Sequence, residues 1–146
     1  MKLYLSEITD SIKKRKVEEC LHDEVFNFGA RVIKSGLDVS FYRAGETVSL
    51  SFTGSFEFKT QCARCAADVA VETDVKEDFY LFPENSGEGV DYFYSGDHIF
   101  LEPFIKEVFV LNIPNAVFCS EDCKGICSIC GTNLNDHKCN CESKIV

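Results

Sequence analysis

The residues best able to do chemistry in this chain are its cysteines. Nine are present, and six of them lie between Cys119 and Cys141. Thiolate sulfur is a soft anionic ligand, and several thiolates at short spacing can surround one tetrahedral ion without closing long loops. Only Cys20 stands apart from the clusters, so the other eight fit two structural zinc sites of four cysteines each. The predicted metal ligands are Cys62, Cys65, Cys119, Cys123, Cys127, Cys130, Cys139 and Cys141.

The spacing allows three groupings of these ligands. Local closure costs the least chain entropy, and it favours one site formed by Cys127, Cys130, Cys139 and Cys141 alone. The Cys119–Cys123 pair then completes the site begun by Cys62–Cys65. The alternatives join Cys62–Cys65 to the Cys127–Cys130 pair, or use Cys119–Cys130 as one tetrad. His137 lies inside the last loop and is an alternative to one sulfur, although an exposed polar residue is the simpler interpretation.

A disulfide framework is the competing explanation for so many cysteines, and it requires an oxidising compartment. The first residues, Met1 to Glu7, include an early acid and no apolar core of a secretory signal. No apolar run approaches the roughly 18 residues of a membrane span. The sequence therefore predicts a cytoplasmic protein, in which Cys-x-x-Cys pairs are metal ligands or redox sites.

Composition and charge restrict the class of partner. Hydrophobic residues make up 45% of the 146 residues and include thirteen Phe, which is enough for a core that does not depend on metal. The net charge is −9, and residues 66–107 hold eleven acidic and two basic residues, so that this segment alone carries −9. A body this acidic is poorly suited to phosphate and well suited to a basic protein partner.

A period-two alternation of apolar and polar residues predicts an antiparallel meander of four strands, near 26–32, 37–41, 48–58 and 69–75. Turns are predicted at Lys34–Gly36 and Arg43–Glu46, and Gly54 is predicted to mark a β-bulge. The Cys62–Cys65 pair falls between two strands. We therefore expect a zinc knuckle at the tip of a hairpin, whose two sulfurs need partners from the C-terminal tail.

Further elements follow from local signals. Residues 2–8 are expected to add an edge strand, and residues 10–24 a short helix. Residues 91–101 resemble a hairpin around Ser95-Gly96-Asp97. Pro103 suits the first turn of a helix that spans roughly 102–112, with apolar residues on one face, and Pro114 ends it.

These patterns predict an α+β fold: a β-rich antiparallel meander or partly closed sheet with one helix and a C-terminal, cysteine-rich zinc module. The expected domains are residues 1–118, with the helix near 102–112, and residues 119–146, docked on the Cys62–Cys65 knuckle.

Enzymatic readings of the cysteines fit poorly. A thioredoxin-like role requires a Cys-x-x-Cys at a helix N-terminus, and the signature of zinc deaminases requires a proline where Gln61 stands. A metal-dependent nucleic-acid enzyme needs an open metal position, which ligation by four cysteines closes. Lys13–Lys16 and Tyr92–Tyr94 are candidate RNA contacts, but a solvated face and ordinary packing explain them more simply.

The motifs resemble the YceD family of large ribosomal RNA subunit accumulation proteins. The similarity rests on Cys62-Ala-Arg-Cys65, on 101–107 (LEPFIKE), on 111–114 (LNIP), and above all on the tail CSEDCKGICSICGTNLNDHKCNC from Cys119 to Cys141. This resemblance implies a non-enzymatic role in 23S rRNA accumulation and large-subunit biogenesis. The expected partner is a basic ribosomal protein or a large-subunit precursor, and the alternative is direct rRNA binding through the zinc knuckle of the tail.

Overall fold

Seven strands and one α-helix make up the described fold. A computed structural model describes residues 2–18, 25–26, 29–84, 92–136 and 138. The elements, in chain order, are β1 (Lys2–Tyr4), β2 (Lys13–Glu18), β3 (Arg31–Ala44), β4 (Thr47–Gln61), β5 (Asp68–Pro83), β6 (Phe93–Tyr94), β7 (His98–Phe100) and α1 (Glu102–Asn112). The described part is mostly β-sheet with one α-helix, which confirms the α+β class.

The main sheet has the strand order β2-β3-β4-β5-β6. Strands β2 to β5 pair antiparallel with their neighbours, whereas β6 runs parallel to β5. The predicted meander is confirmed for the three long strands, and the predicted turn before β4 is confirmed at Gly45 and Glu46. Their alternating side chains bury one face of the sheet, called the inner face below, and expose the other, the outer face.

The core lies between the inner face and α1. Ile105, Val108 and Phe109 of the helix are buried, and the ring of Phe109 lies 4.8 Å from that of Phe56 on β4. The helix occupies the predicted residues and ends before Pro114, because proline cannot continue its hydrogen bonds. The core therefore lies mainly between the main sheet and the helix, and Leu3 of β1 and Ile99 of β7 add to it.

The turn predicted at Lys34–Gly36 is wrong. These residues lie inside the single strand β3, and its register against β4 shifts between Val32 and Lys34. That bulge moves the buried positions from even numbers, such as Val32, to odd numbers, such as Leu37. The break in the apolar–polar alternation, which predicted a turn between two strands, is therefore a bulge within one strand. Residues 27 and 28 of the segment predicted at 26–32 lie outside the described residues, and β3 begins at Arg31.

Gly54 does not mark a bulge, because the register of β4 is continuous there against both neighbours. Its φ is +138°, and a Cβ at this position would lie 2.1 Å from the carbonyl oxygen of Gly36. Close approach of the β3 backbone, rather than an extra residue, explains the glycine.

The helix predicted within 10–24 is wrong for its described part, since Lys13–Glu18 forms β2. A strand buries Val17 and leaves Lys14 and Lys16 in solvent, whereas a helix would have placed four cations at its positive N-terminus. Residues 19–24 lie outside the described residues.

The hairpin predicted at 91–101 is also wrong. Before the turn around Gly96, β6 extends the main sheet, and after that turn β7 pairs with β1 in a separate two-stranded sheet. The N-terminal strand predicted within residues 2–8 therefore exists as β1, but it pairs with β7 and does not lie at an edge of the main sheet.

Candidate metal centre

The first cysteine pair lies at the tip of the β4–β5 hairpin. The strands pair as far as Gln61 and Asp68, and the turn is closed by Cys62 N–H donating to Ala67 O at 2.8 Å and Ala66 N–H donating to Cys62 O at 2.9 Å. We call residues 62–67 the first knuckle. Its flanks are strands, unlike the helix N-terminus that thioredoxin-like chemistry uses.

The segment after α1 brings the start of the tail (residues 119–146) to the first knuckle; the structure describes residues 119–136 and 138 of the tail. Beyond the helix, the N–H of Ala63 donates to the carbonyl of Val117 at 2.8 Å. Two residues later, the N–H of Cys119 donates to Cys62 Sγ at 3.3 Å. The core packing of α1 therefore decides which tail cysteines reach the hairpin.

The structure brings together the sulfurs of Cys62, Cys65, Cys119 and Cys123, all within 4.8 Å of one another. Two sulfur pairs, Cys62–Cys123 and Cys65–Cys119, are each 3.6 Å apart. A disulfide would require about 2.05 Å, whereas four sulfurs at about 2.3 Å from a tetrahedral ion lie roughly 3.8 Å apart. The donor set and spacing fit a tetrahedral, thiophilic ion, and four sulfurs leave no position open to a substrate.

Hydrogen bonds divide these thiols into two kinds. Burial raises the pKa of the Cys62 thiol, but backbone N–H groups of Cys65 and Cys119 outweigh it and lower the pKa to about 6. The Asn135 amide donates to Cys123 Sγ at 3.3 Å and lowers the pKa of that thiol. Hydrogen bonds with the sulfurs of Cys123 and Cys65 raise the pKa of Cys119 to about 12. Two sulfurs are thus favoured as thiolates, and a divalent cation stabilises all four in that form.

Arg64 holds the tail against the first knuckle. Its guanidinium donates to the carbonyl of Cys123 at 3.2 Å and lies 4.6 Å from the centre of the Phe118 ring. Gly125 packs so closely that a Cβ there would lie 3.4 Å from Arg64 O. Guanidinium, ring and backbone together fix how the tail crosses the hairpin tip.

Cys127 and Cys130 form a second knuckle, residues 127–132, with the same backbone geometry as the first. Cys127 N–H donates to Thr132 O at 2.9 Å, and Gly131 N–H donates to Cys127 O at 3.0 Å. The residue after the second cysteine has a positive φ in both, +60° at Ala66 and +73° at Gly131. Cys139 and Cys141, its predicted partners, lie outside the described residues, as do the alternative ligand His137 and the leftover Cys20.

The sequence that forms the knuckles and the tail matches a known family. The family model described as "Large ribosomal RNA subunit accumulation protein YceD" matches residues 50–146, which is more than half of the chain. The chain belongs to the YceD family. The matched segment runs from within β4 through both knuckles and α1, and it includes all eight clustered cysteines.

A curated relative extends the similarity. The Large ribosomal RNA subunit accumulation protein YCED homolog 1, chloroplastic, of Arabidopsis thaliana is 25% identical over 126 residues. The aligned region covers 75% of this chain but only 38% of that relative, so the chain spans well under half of its length. No solved structure matches the chain. Within the described residues, no helix is both long enough and apolar enough to cross a membrane.

Sequence reasoning missed two polar residues of this YceD site, Arg64 and Asn135. Arg64 lies between the two cysteines of the first knuckle, and an exposed basic residue at such a position does not by itself indicate a role in the site. Asn135 follows Leu134 in the tail, and its link to Cys123 spans eleven intervening residues. A hydrogen-bond donor near clustered thiolates was the only available signal, because metal-bound sulfur commonly accepts such bonds.

Proposed function

We propose that this YceD-family protein is a non-enzymatic ribosome-assembly factor, which supports accumulation of large-subunit rRNA by binding a basic ribosomal protein. The family name supports the link to large-subunit rRNA. The observation that carries the partner is the exposed acidic side of β5, on the outer face of the sheet.

The outer face of β5 is strongly negative. Its seven exposed side chains include four carboxylates and a single ammonium, and within the described part of the chain none of these carboxylates forms an ion pair. The seven residues are Asp68, Ala70, Glu72, Asp74, Lys76, Asp78 and Tyr80. Glu57 lies opposite Glu72 on the next strand and adds to the charge. Such a surface attracts Lys/Arg-rich chains and repels phosphate.

The positions of four sulfurs support a first metal site, and the second site rests on the shape of the second knuckle and on cysteine spacing. We propose that Cys62, Cys65, Cys119 and Cys123 hold one zinc ion, and that the second knuckle, with Cys139 and Cys141, holds another. Ligation by four sulfurs favours zinc among the common cellular metals and makes the site structural. Residues 119–146 then form a module docked on the β-rich residues 1–118.

Direct rRNA binding through the basic segment of β2 is less well supported. Lys13 donates to Glu7 O at 3.0 Å, and Arg15 pairs with the Glu7 carboxylate at 3.0 Å. Within this segment, Lys14 and Lys16 are then the cations without such a contact to Glu7. Two positive charges neutralise few phosphates, so they would bind RNA weakly.

A charge-reversal experiment tests the proposal. Replacing Glu72, Asp74 and Asp78 with Lys should reduce capture of large-subunit ribosomal proteins from a nuclease-treated lysate by about tenfold or more. It should also lower the cellular ratio of 23S to 16S rRNA. Glu77 is left intact because it accepts a hydrogen bond from Asn112 of α1 at 3.3 Å.

The matched control reverses three exposed acids elsewhere, Asp10, Glu46 and Asp122, with the same change in net charge. It should retain capture and rRNA levels. If the β5 variant captures as much ribosomal protein as this control from an untreated lysate, and nuclease treatment abolishes that capture, then the protein binds rRNA directly and the proposed partner is wrong.

A further inference from the structure

Strand β5 has one edge that is paired along nearly its whole length and one that is largely open. Its residues from Asp68 to Leu81 pair with β4 without a break in register. On the other side, β6 pairs with only Phe82 and Pro83. Over Asp68–Tyr80, the described part of the chain supplies no strand for the second edge.

Two hydrogen-bond observations identify the backbone groups that face this open edge. Phe82 N–H donates to Tyr92 O at 3.1 Å, which directs an even-numbered residue of β5 away from β4. Cys62 N–H donates to Ala67 O at 2.8 Å, which directs an odd-numbered residue towards β4. Because backbone groups alternate sides along a strand, the even-numbered residues from Asp68 to Tyr80 present their N–H and C=O groups to the edge.

The side chains of those same residues form the acidic surface on the outer face. On the inner face, the apolar residues nearest the open edge, Val69 and Val71, are only half-buried. A strand added at this edge would therefore place alternate side chains beside carboxylates and beside incompletely covered valines.

The negative charge along the open edge favours a positively charged partner. A second copy of this strand, or an RNA phosphate backbone, would bring negative charge against negative charge. Edge strands are commonly protected by bulges, prolines or lysines, but β5 has no bulge against β4, no proline before Pro83 and one lysine, Lys76. An extended cationic peptide satisfies both the unpaired backbone and the carboxylates.

We propose that the open edge of β5 binds an extended peptide segment of alternating Lys or Arg and apolar residues by β-strand addition. This deepens the proposed function, on which it rests, by naming how the basic partner is held. Backbone hydrogen bonds supply the binding mode, and the carboxylates of Glu72, Asp74 and Asp78 supply the preference for basic side chains.

The test uses a capped Lys-Val repeat of about nine residues, roughly 30 Å long when extended, as a fluorescent probe for the full chain. Binding should perturb the amide NMR signals of the even-numbered residues of β5 most strongly. Methylating the alternate peptide nitrogens that face β5 should weaken binding by about tenfold or more. A peptide of the same composition, with all its lysines in one block, should also bind more weakly.

Ala70 allows the same test from the protein side without changing a charge. Ala70→Pro removes an N–H that faces the edge and should weaken probe binding several-fold, since proline is tolerated at sheet edges. Ala70→Thr keeps the N–H and should bind normally. The methylated peptide keeps the test decisive if the proline variant fails to fold.

Two results would overturn the edge proposal. The methylated peptide could bind as tightly as its parent, or the even-numbered amides could already be protected from exchange in the free protein because another segment or a second copy covers them. Either result leaves the ribosomal-protein proposal standing, provided that charge reversal still abolishes capture. The ribosomal-protein proposal itself would be refuted if charge reversal on β5 left the capture of ribosomal proteins unchanged.

Discussion

Removing metal from the four-cysteine cluster should release the tail and leave the long strands folded. Within residues 119–136, the buried residues are Cys123, Gly125 and Cys127, while Ile126 and Ile129 are exposed. The buried core of the sheet and helix contains no residue of this segment. The tail therefore depends on its sulfurs, and the sheet does not depend on the tail.

The magnitude follows from the contacts that would remain. Three hydrogen bonds with nitrogen donors join the first knuckle to the segment from Val117 to Cys123, each contributing about 1 kcal/mol. Two weaker sulfur–sulfur hydrogen bonds, Cys62–Cys123 and Cys65–Cys119, add to them. The contact of Arg64 with Phe118 contributes about 0.5–1 kcal/mol. Structural zinc contributes about 10–16 kcal/mol in zinc-finger peptides, so we expect the proposed zinc to outweigh these contacts and its removal to release the tail.

Hydrogen exchange measured by mass spectrometry, under reducing conditions, checks this with zinc and with a chelator. Protection of residues 119–136 should fall by a factor on the order of 10³ or more, while amides of 48–58 change by less than about tenfold. Cys123→Ser should reproduce the effect of chelation, and Cys20→Ser is the matched control. Parallel loss of protection in 48–58 would show that sheet and tail form one cooperative unit, and the reasoning would be refuted.

Three further outcomes are expected. Metal analysis of protein purified without chelator should find close to two zinc ions per chain, and one or fewer would exclude the second site. Ala66→Gly should raise the free energy of unfolding by about 1 kcal/mol in chemical denaturation, because alanine is strained at φ +60°; a destabilised variant would contradict the strain. Gly54→Ala should destabilise by about 3 kcal/mol or more, since its Cβ would meet Gly36 O at 2.1 Å. Gly45→Ala, at a position with a positive φ but open space, should lower the free energy of unfolding by only about 1 kcal/mol. If both variants lost the same amount, steric overlap with Gly36 would not explain the effect at Gly54.

Strands β4 and β5 and helix α1 could be predicted because their patterns are local. Each strand has one buried face and one solvated face, so its alternation appears directly in the sequence. The helix combines an apolar stripe with Pro103 in its first turn and Pro114 beyond its end. In these segments burial, propensity and turn signals agree, so little depends on the rest of the chain.

The errors arose where distant partners decide the structure. Strand β2 has one buried apolar residue, Val17, and its strand form depends on pairing with β3. Strand β7 follows a convincing turn signal yet pairs with β1, which lies far away in sequence. Gly54 shows the same limit, because the atom that excludes a side chain belongs to Gly36 on the neighbouring strand.

The candidate metal site divides in the same way. Ligand type and the position of Cys62–Cys65 at a hairpin tip follow from local spacing. Their partners follow less firmly: local closure of the last four cysteines favours Cys119 and Cys123 as those partners, but the alternative loop closures differ little in chain entropy. The hydrogen bond from Ala63 to Val117, set by the packing of α1, brings Cys119 to the knuckle. Core packing therefore makes a choice that cysteine spacing leaves open.

The first knuckle connects the proposed metal centre to the proposed binding edge. Ala67 accepts the hydrogen bond that closes the knuckle, and Asp68, the next residue, is the first to face the open edge. Farther along, Phe79 lies against Phe104 of α1 with ring centres 5.3 Å apart, so the sheet core anchors the distal half of the edge. We therefore expect the proposed metal to order the start of the edge, while the core orders its end. Because a partner strand that spans both halves would depend on the metal at one end only, we expect zinc to support binding and not to switch it on and off.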